Sequence, residues 1–162
     1  MKNPSTTHWA TLSELSSHQL FVIMRARQEV FILEQQCIYL DADHYDEVAY
    51  HGIVWDHTNA DGEAPHIAAY LRVLPPKTKY DQYASFGRVL TTARSRGIGM
   101  GKRLIEDAVL FIQERFDNPP IKISAQSYLQ RFYGGFAFEV SSESYLYAGI
   151  EHVDMIRRPR DR

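Results

Sequence analysis

The sequence predicts a mixed α/β (α+β) fold in which a single-layer, mostly antiparallel central sheet is flanked by helices. Three observations predict it. Apolar residues alternate in several runs of strand length, two longer stretches between them carry apolar residues at helical spacing, and 44% hydrophobic against 23% charged residues is enough to fill one core. The 162 residues are the length of one domain, and neither a repeat nor an internal linker divides residues 1–162.

Residues 7–11 read as a short first strand. Leu20, Ile23, Met24, Arg27, Val30 and Phe31 then recur at helical spacing behind a cap at Ser16 or Ser17, which predicts a helix over residues 17–34. Periodicity stops over residues 35–47, where Asp41, Asp43, Asp46 and Glu47 cluster among aromatic residues. This is a loop of a length that is usually functional or disordered. Residues 49–55 and 66–74 alternate as an antiparallel hairpin turned at Asp61-Gly62, and Pro75-Pro76 ends it. Residues 85–91 form the next strand. From Gly99 to Arg115, Leu104, Ile105, Ala108, Val109 and Ile112 mark the apolar face of a second helix, which Asn118-Pro119-Pro120 stops. Residues 121–125 are a strand, 126–136 a short aromatic-rich helix, 138–147 and 152–157 a closing strand pair, and the tail from Arg157 a frayed end.

Charge and cysteine content exclude several functions. A net charge of -2 gives no bulk reason to bind nucleic acid, and the basic run at 157–162 is too short to supply one. No apolar run approaches the roughly 20 residues of a membrane span. Cys37 is the only thiol, so a disulfide framework and a cysteine zinc cluster are excluded, and a reducing, cytoplasmic setting is expected. His44, His51, His57 and His66 lack metal-ligand spacing with matching carboxylates, so no metal is expected.

The most informative stretch lies between a predicted strand and the amphipathic second helix: Arg96-Gly97-Ile98-Gly99-Met100-Gly101-Lys102-Arg103. Three alternate glycines let successive backbone N–H groups approach a phosphate, and the helix that starts there adds the positive end of its dipole. A dinucleotide fingerprint needs glycine where Lys102 stands. A Walker loop fails at Arg96 and at Arg103. The R/Q-x-x-G-x-G/A pattern that remains resembles the acyl-CoA pyrophosphate loop of the GNAT superfamily of N-acetyltransferases. A second block is similar to the family's N-x-x-A-x-x-L-Y-x-x-x-G-F: Gln126, Leu129, Phe132, Tyr133, Ala137 and Phe138 stand at those offsets, with Gln126 for asparagine and Ala137 for glycine. Further blocks spread over nearly the whole chain resemble the ElaA-like branch of that superfamily. They are Arg27-Gln28-Glu29-Val30-Phe31, Glu34-Gln35-Gln36-Cys37, Gly87-Arg88-Val89, Ser124-Ala125-Gln126 and Gly149-Ile150 with His152 and Met155.

The resemblance implies the GNAT fold, acetyl-CoA as cosubstrate and an amine-bearing acceptor that it does not specify. It places the pyrophosphate on Arg96, Gly97, Ile98, Gly99, Met100 and Gly101, with Lys102 and Arg103 in reach, and puts Gln126 and Arg131 beside the cofactor arm. Acetyl transfer to an amine needs an oxyanion donor, an acid for the thiolate and a route for the amine proton. Backbone N–H groups of Val89, Leu90 and Thr91, where the strand runs into the phosphate turn, are the expected oxyanion donors if that strand end is bulged. Tyr133 stands where the family has its thiolate-protonating tyrosine; the transfer is uphill by about 1.5 pH units. Candidate bases are Glu34, Asp41, Asp43 and His152, with Glu34 and His152 taken as catalytic beside Tyr133, and a water relay equally open. The acidic loop is expected to attract a cationic acceptor. Cys37 is expected to be a packing residue rather than a nucleophile. Direct attack in a ternary complex is the leading reading, a catalytically silent CoA-binding module the alternative. The choice between monomer and homodimer stays open.

Overall fold

Two capping boxes set the start of the chain in the computed structural model, which describes residues 6–56 and 66–159. At the end of β1 (His8–Thr11) the Thr11 N–H donates to Glu14 Oε2 at 2.7 Å. At the start of α1 (Ser17–Arg27), Ser16 Oγ accepts from the Gln19 N–H at 3.1 Å while Gln19 Oε1 accepts from the Ser16 N–H at 2.9 Å. Each box satisfies helix-end donors that have no partner within the helix. Beyond Arg27 the predicted single helix changes winding: Gln28–Glu34 is a π-helix, with the Gln35 N–H reaching Val30 O at 3.0 Å. Seven residues are too few for apolar spacing to separate the two windings, and π segments gather at functional sites.

The strands β2 (Tyr50–Asp56), β3 (His66–Leu74) and β4 (Ser85–Thr91) follow β1 in one antiparallel sheet of order β1-β2-β3-β4. The hairpin turn at Asp61-Gly62 lies outside the described residues. After α2 (Met100–Arg115) come β5 (Ile121–Gln126), α3 (Gln130–Gly134), β6 (Glu139–Val140), β7 (Tyr145–Tyr147) and β8 (Ile150–Arg157). In this second sheet β8 pairs with β5, β6 and β7.

The expected single-layer sheet is therefore two four-stranded sheets. Among the described residues their backbones join at the start of β4 and β5, where the Lys122 N–H donates to Ala84 O at 2.9 Å and the Ala84 N–H to Pro120 O at 3.1 Å. Beyond that point the strands diverge into a cleft. Two further expectations are corrected. The closing strand over 138–147 is broken into β6 and β7. The helix over 126–136 shrinks to α3 behind a 3-10 turn at Ser127–Leu129, because the Gly134-Gly135 pair is a poor helix continuation and Ala137 turns left-handed at φ 64°. Glycine at that family position thus has a conformational reason, and alanine here carries strain.

The first sheet is covered on both faces. Ile23, Ala26, Val30 and Phe31 of the first helical stretch pack with Ile53, Ile67, Tyr70 and Leu90. On the other face Leu104, Ile105, Ala108, Val109 and Ile112 of α2 pack with Val54, Leu71, Val73 and Phe86, continuous with Ile121, Ile123, Val153 and Met155 of the second sheet.

Candidate active site

The glycine turn joins β4 to α2 as the sequence order requires. Gly97 at φ 80° and Gly99 at φ 77° adopt the left-handed conformation, and Gly99 caps α2. A Cβ at either would meet nothing within 4 Å, so both positions face open space above the helix N-terminus. The first N–H groups of α2 emerge there unpaired within the helix, which suits a phosphate. Arg96 is tied into this turn: its Nε donates to Thr91 O at 3.1 Å and its Nη2 pairs with Glu34 Oε2 at 2.5 Å. Lys102 is exposed and pairs with Glu106 at 3.9 Å along the helix. Arg131 is exposed on α3, and the Leu90 side chain is buried among the residues that pack against α1.

The cleft between the sheets holds a cavity of 410 Å³ whose walls include Gln35, Val89, Gln126, Leu129, Tyr133 and His152. Its β4 wall is irregular. Tyr70 faces Leu90 and Arg72 faces Gly87, so Leu71 alone opposes both Arg88 and Val89, and Arg88 sits at φ 54°. Such a bulge leaves one backbone group out of the ladder and re-aims its neighbours. Tyr133 is buried, ringed by Phe86, Phe132 and Phe138 at centroid distances of 6.2, 5.2 and 6.1 Å, and burial pushes its hydroxyl pKa up. His152 stacks on Tyr145 at 6.1 Å and meets the edge of Tyr147 at 5.6 Å. Its Nδ1 lies 2.7 Å from Ile150 O. A carbonyl only accepts, so Nδ1 carries a proton, and in the neutral ring the lone pair is on Nε2. Gln126 Nε2 donates across the cleft to Gln35 Oε1 at 3.3 Å.

The loop at 35–47 is built differently from expectation. Its aspartates do not face solvent as a lure for cations: Asp41 and Asp46 are buried and Asp43 is partly so, and all three are paired with arginines. Arg27, fully buried, donates from Nε to Asp41 Oδ2 at 2.7 Å and from Nη1 to Asp46 Oδ1 at 2.6 Å. Arg72 forks onto Asp43 at 2.6 and 2.8 Å and reaches Asp46 at 2.8 Å. Arg88, displaced by the bulge, meets Asp41 Oδ1 at 2.8 Å and lies over the Tyr39 ring at 5.0 Å. Burial alone would raise the Asp46 carboxyl, but Arg27 and Arg72 outweigh it and hold its pKa at about 2. The same opposition, won by Arg72 and Arg88, lowers Asp43. Behind them His51 Nε2 faces Asp46 O at 3.1 Å and its Nδ1 faces the Tyr70 hydroxyl at 2.7 Å; burial lowers the histidine and raises the tyrosine.

Among the sequence candidates, the structure brings Val89, Gln126, Tyr133 and His152 to one cavity. Glu34 stands apart, salt-bridged to Arg96 beside the glycine turn rather than on the cavity wall. Asp41 and Asp43 are structural, as turn cap and arginine partners. Arg72, which sequence reasoning passed over, had a signal: an arginine inside the apolar run Tyr70-Leu71-Arg72-Val73 must find a buried acid, here Asp43 and Asp46 of the acidic loop. Cys37 is buried, with Sγ 3.8 Å from Gln35 O. Among the described residues no group of His, Cys, Asp and Glu could hold a metal ion, and no helix is long and apolar enough to cross a membrane.

A family model described as an acetyltransferase (GNAT) domain matches residues 77–158, which contain the bulge, the glycine turn and Tyr133. A UPF0039 protein of Synechocystis is 36% identical over 150 residues, 93% of each chain. The chain belongs to the GNAT acetyltransferase family. Within that family, protein ElaA of Escherichia coli is 31% identical over 146 residues, 90% of this chain and 91% of its own. The crystal structure of E. coli ElaA superposes at a TM-score of 0.82, covering 94% of this chain and 99% of that one. An acyl-CoA N-acyltransferase from Pseudomonas aeruginosa superposes equally well, at 0.82 with 32% identity and the same coverage. The two splayed sheets with their flanking helices are thus the GNAT acyl-CoA N-acyltransferase fold, and the chain is an acyl-CoA-dependent transferase by family.

Proposed function

We propose that the protein is an N-acetyltransferase that uses acetyl-CoA and a primary amine, with direct attack in a ternary complex in the cytoplasm. The observation that carries this reading is a cavity walled by a bulged strand, a buried tyrosine and a histidine, with that strand running on into a glycine turn whose open helix N-terminus suits an anion. Gly97, Gly99 and the N-terminus of α2 hold the pyrophosphate, with Arg96 as the nearby cation and Lys102 at the rim.

The residues then divide the work. The backbone N–H freed by the bulge near Val89 donates to the thioester oxygen as it gains charge. His152 takes the amine's proton on Nε2, and its Nδ1–H stays on Ile150 O, which fixes the tautomer. Tyr133 gives its hydroxyl proton to the departing sulfur as the C–S bond breaks, and its apolar surroundings disfavour a resident phenolate. Gln126 and Gln35, bonded to each other, bridge the cleft beside the acyl position. Glu34 acts through Arg96 on the phosphate side.

The test is initial-rate kinetics with thiol detection over a panel of amines. Intersecting reciprocal plots and an acetylated amine seen by mass spectrometry are expected. Parallel plots with an acetyl group recovered on Cys37 would replace direct attack by a covalent route. Acetyl-CoA binding without thiol release for any amine would reduce the protein to a CoA-binding module.

A further inference from the structure

The wall of the cleft cavity contains Arg72, Lys79 and Arg88 and no aspartate or glutamate among the described residues. Two of these cations are already matched. Arg72 and Arg88, together with Arg27, stand against Asp41, Asp43 and Asp46, and the cluster sums to zero. Lys79 differs: it makes no ion pair among the described residues. Its Nζ lies over the Tyr80 ring at 5.2 Å. The neighbouring Lys122 approaches the same ring at 4.8 Å but is paired with Asp154 at 3.0 Å. Asp154 is spent a second time on the Tyr145 hydroxyl at 2.7 Å, and Tyr145 in turn bonds Ser124. The ring contact holds Lys79 electrostatically and consumes none of its three N–H donors.

Lys79 is also remote from the phosphate turn. It precedes β4 and the turn follows β4, and seven strand residues at about 3.3 Å each put roughly 20 Å between the two ends. One anion cannot serve both places. Five aromatic or hydroxyl side chains, Tyr39, Tyr80, Ser124, Tyr145 and Tyr147, are also part of the wall.

Resting on the acetyltransferase reading of this cavity, we infer that the acceptor is an amine that also carries a carboxylate or a phosphate, and that Lys79, seated on Tyr80, binds that anion. An amine must be neutral when it attacks, so an amino acid or aminoalkyl phosphate enters the reaction as an anion and is matched by the one unpaired cation of the wall. A diamine or a polyamine keeps a positive charge that no carboxylate of this wall answers. This reverses the expectation of a cation-attracting site: the three aspartates of the acidic loop are the counter-charges of three arginines, and the loop's remaining acid, Glu47, is not on this wall.

The experiment compares γ-aminobutyrate, aminopropyl phosphate, butylamine and putrescine as acceptors with saturating acetyl-CoA, for the wild type, Lys79→Glu and Lys79→Arg. Expected is kcat/KM at least about tenfold higher for an anionic acceptor than for putrescine, with carboxylate against phosphate showing which anion the site takes. Lys79→Glu lowers the anionic acceptors and raises putrescine, opposite movements that a folding defect cannot produce, and Lys79→Arg keeps the wild-type order. Putrescine equal to or better than both anionic amines, or one common loss across all four acceptors in Lys79→Glu, overturns the inference while leaving acetyl transfer intact. If no amine turns over, the transferase reading fails separately. Calorimetric titration of γ-aminobutyrate and aminopropyl phosphate into the CoA complex then decides: binding lost in Lys79→Glu upholds the anion site, and no binding to the wild type ends it.

Discussion

The two ends of the cleft are built on opposite plans. The end proposed for the phosphates is backbone: two left-handed glycines and the N-terminus of one helix, all within residues 96–103, with open space at the glycines. The opposite side is made of side chains drawn from distant segments. Arg27 of α1, Asp41, Asp43 and Asp46 of the loop, Arg72 of β3 and Arg88 of the β4 bulge close into one buried charge cluster beneath Tyr39. On the proposed reading, a local backbone motif takes a group common to every acyl-CoA. A long-range cluster fixes the shape of a loop, and on that reading the loop faces the acceptor. The bulge at Arg88 serves both plans, since the same displaced residue pins the loop and frees backbone beside Val89.

The largest effect that separates the two ends is expected at Arg27. Arg27→Met leaves Asp41 and Asp46 buried without their principal partner and costs about 3–5 kcal/mol in chemical denaturation. A loss below about 1 kcal/mol would show that the cluster is not the loop's foundation. Next is Tyr133→Phe, which lowers kcat about a hundredfold, some 2.7 kcal/mol, with acetyl-CoA affinity unchanged in calorimetry. Equal losses in affinity and rate would make Tyr133 a packing residue.

Acid should then attack the charge cluster before the glycine turn. The Asp46 carboxyl is held at about 2 in the fold against a reference of 3.8. Its contribution is therefore present in full above the reference value and is lost as pH falls through about 2. The expected loss is about 2 kcal/mol between pH 5 and pH 2. Denaturant midpoints for the wild type and Asp46→Asn measure it, because the variant should lack that part of the slope. The smallest effect is a gain: Ala137→Gly relieves the left-handed alanine after α3 and stabilises by about 1 kcal/mol, read as a rise in Tm.

How much of this was legible in the sequence follows from the same contrast. The strand-to-helix glycine turn is contiguous, and its φ values and helix cap follow the residue pattern. The capping serine at 16, the β2–β4 strand spans and α2 are also local, and they stand within a residue or two of expectation. What eluded the sequence is non-local. The splitting of the sheet depends on where β4 and β5 part after Ala84 and Ile121, and the bulge depends on its register against β3. The aspartates of the loop read as a solvated acidic patch because their arginine partners lie up to 47 residues away. Nothing in the sequence singles out Lys79, since its significance lies in what the cavity around it lacks.

The most direct test is calorimetric titration of acetyl-CoA into the wild type and Gly99→Val. Gly99 lies at φ 77° with nothing within 4 Å of an added Cβ, so valine strains the turn without striking a neighbour. The expected result is one-to-one binding to the wild type and at least about a tenfold weaker complex for a variant that still unfolds cooperatively. Equal affinity in the two proteins, or no binding to the wild type, would contradict the assignment of this turn as the acyl-CoA phosphate site.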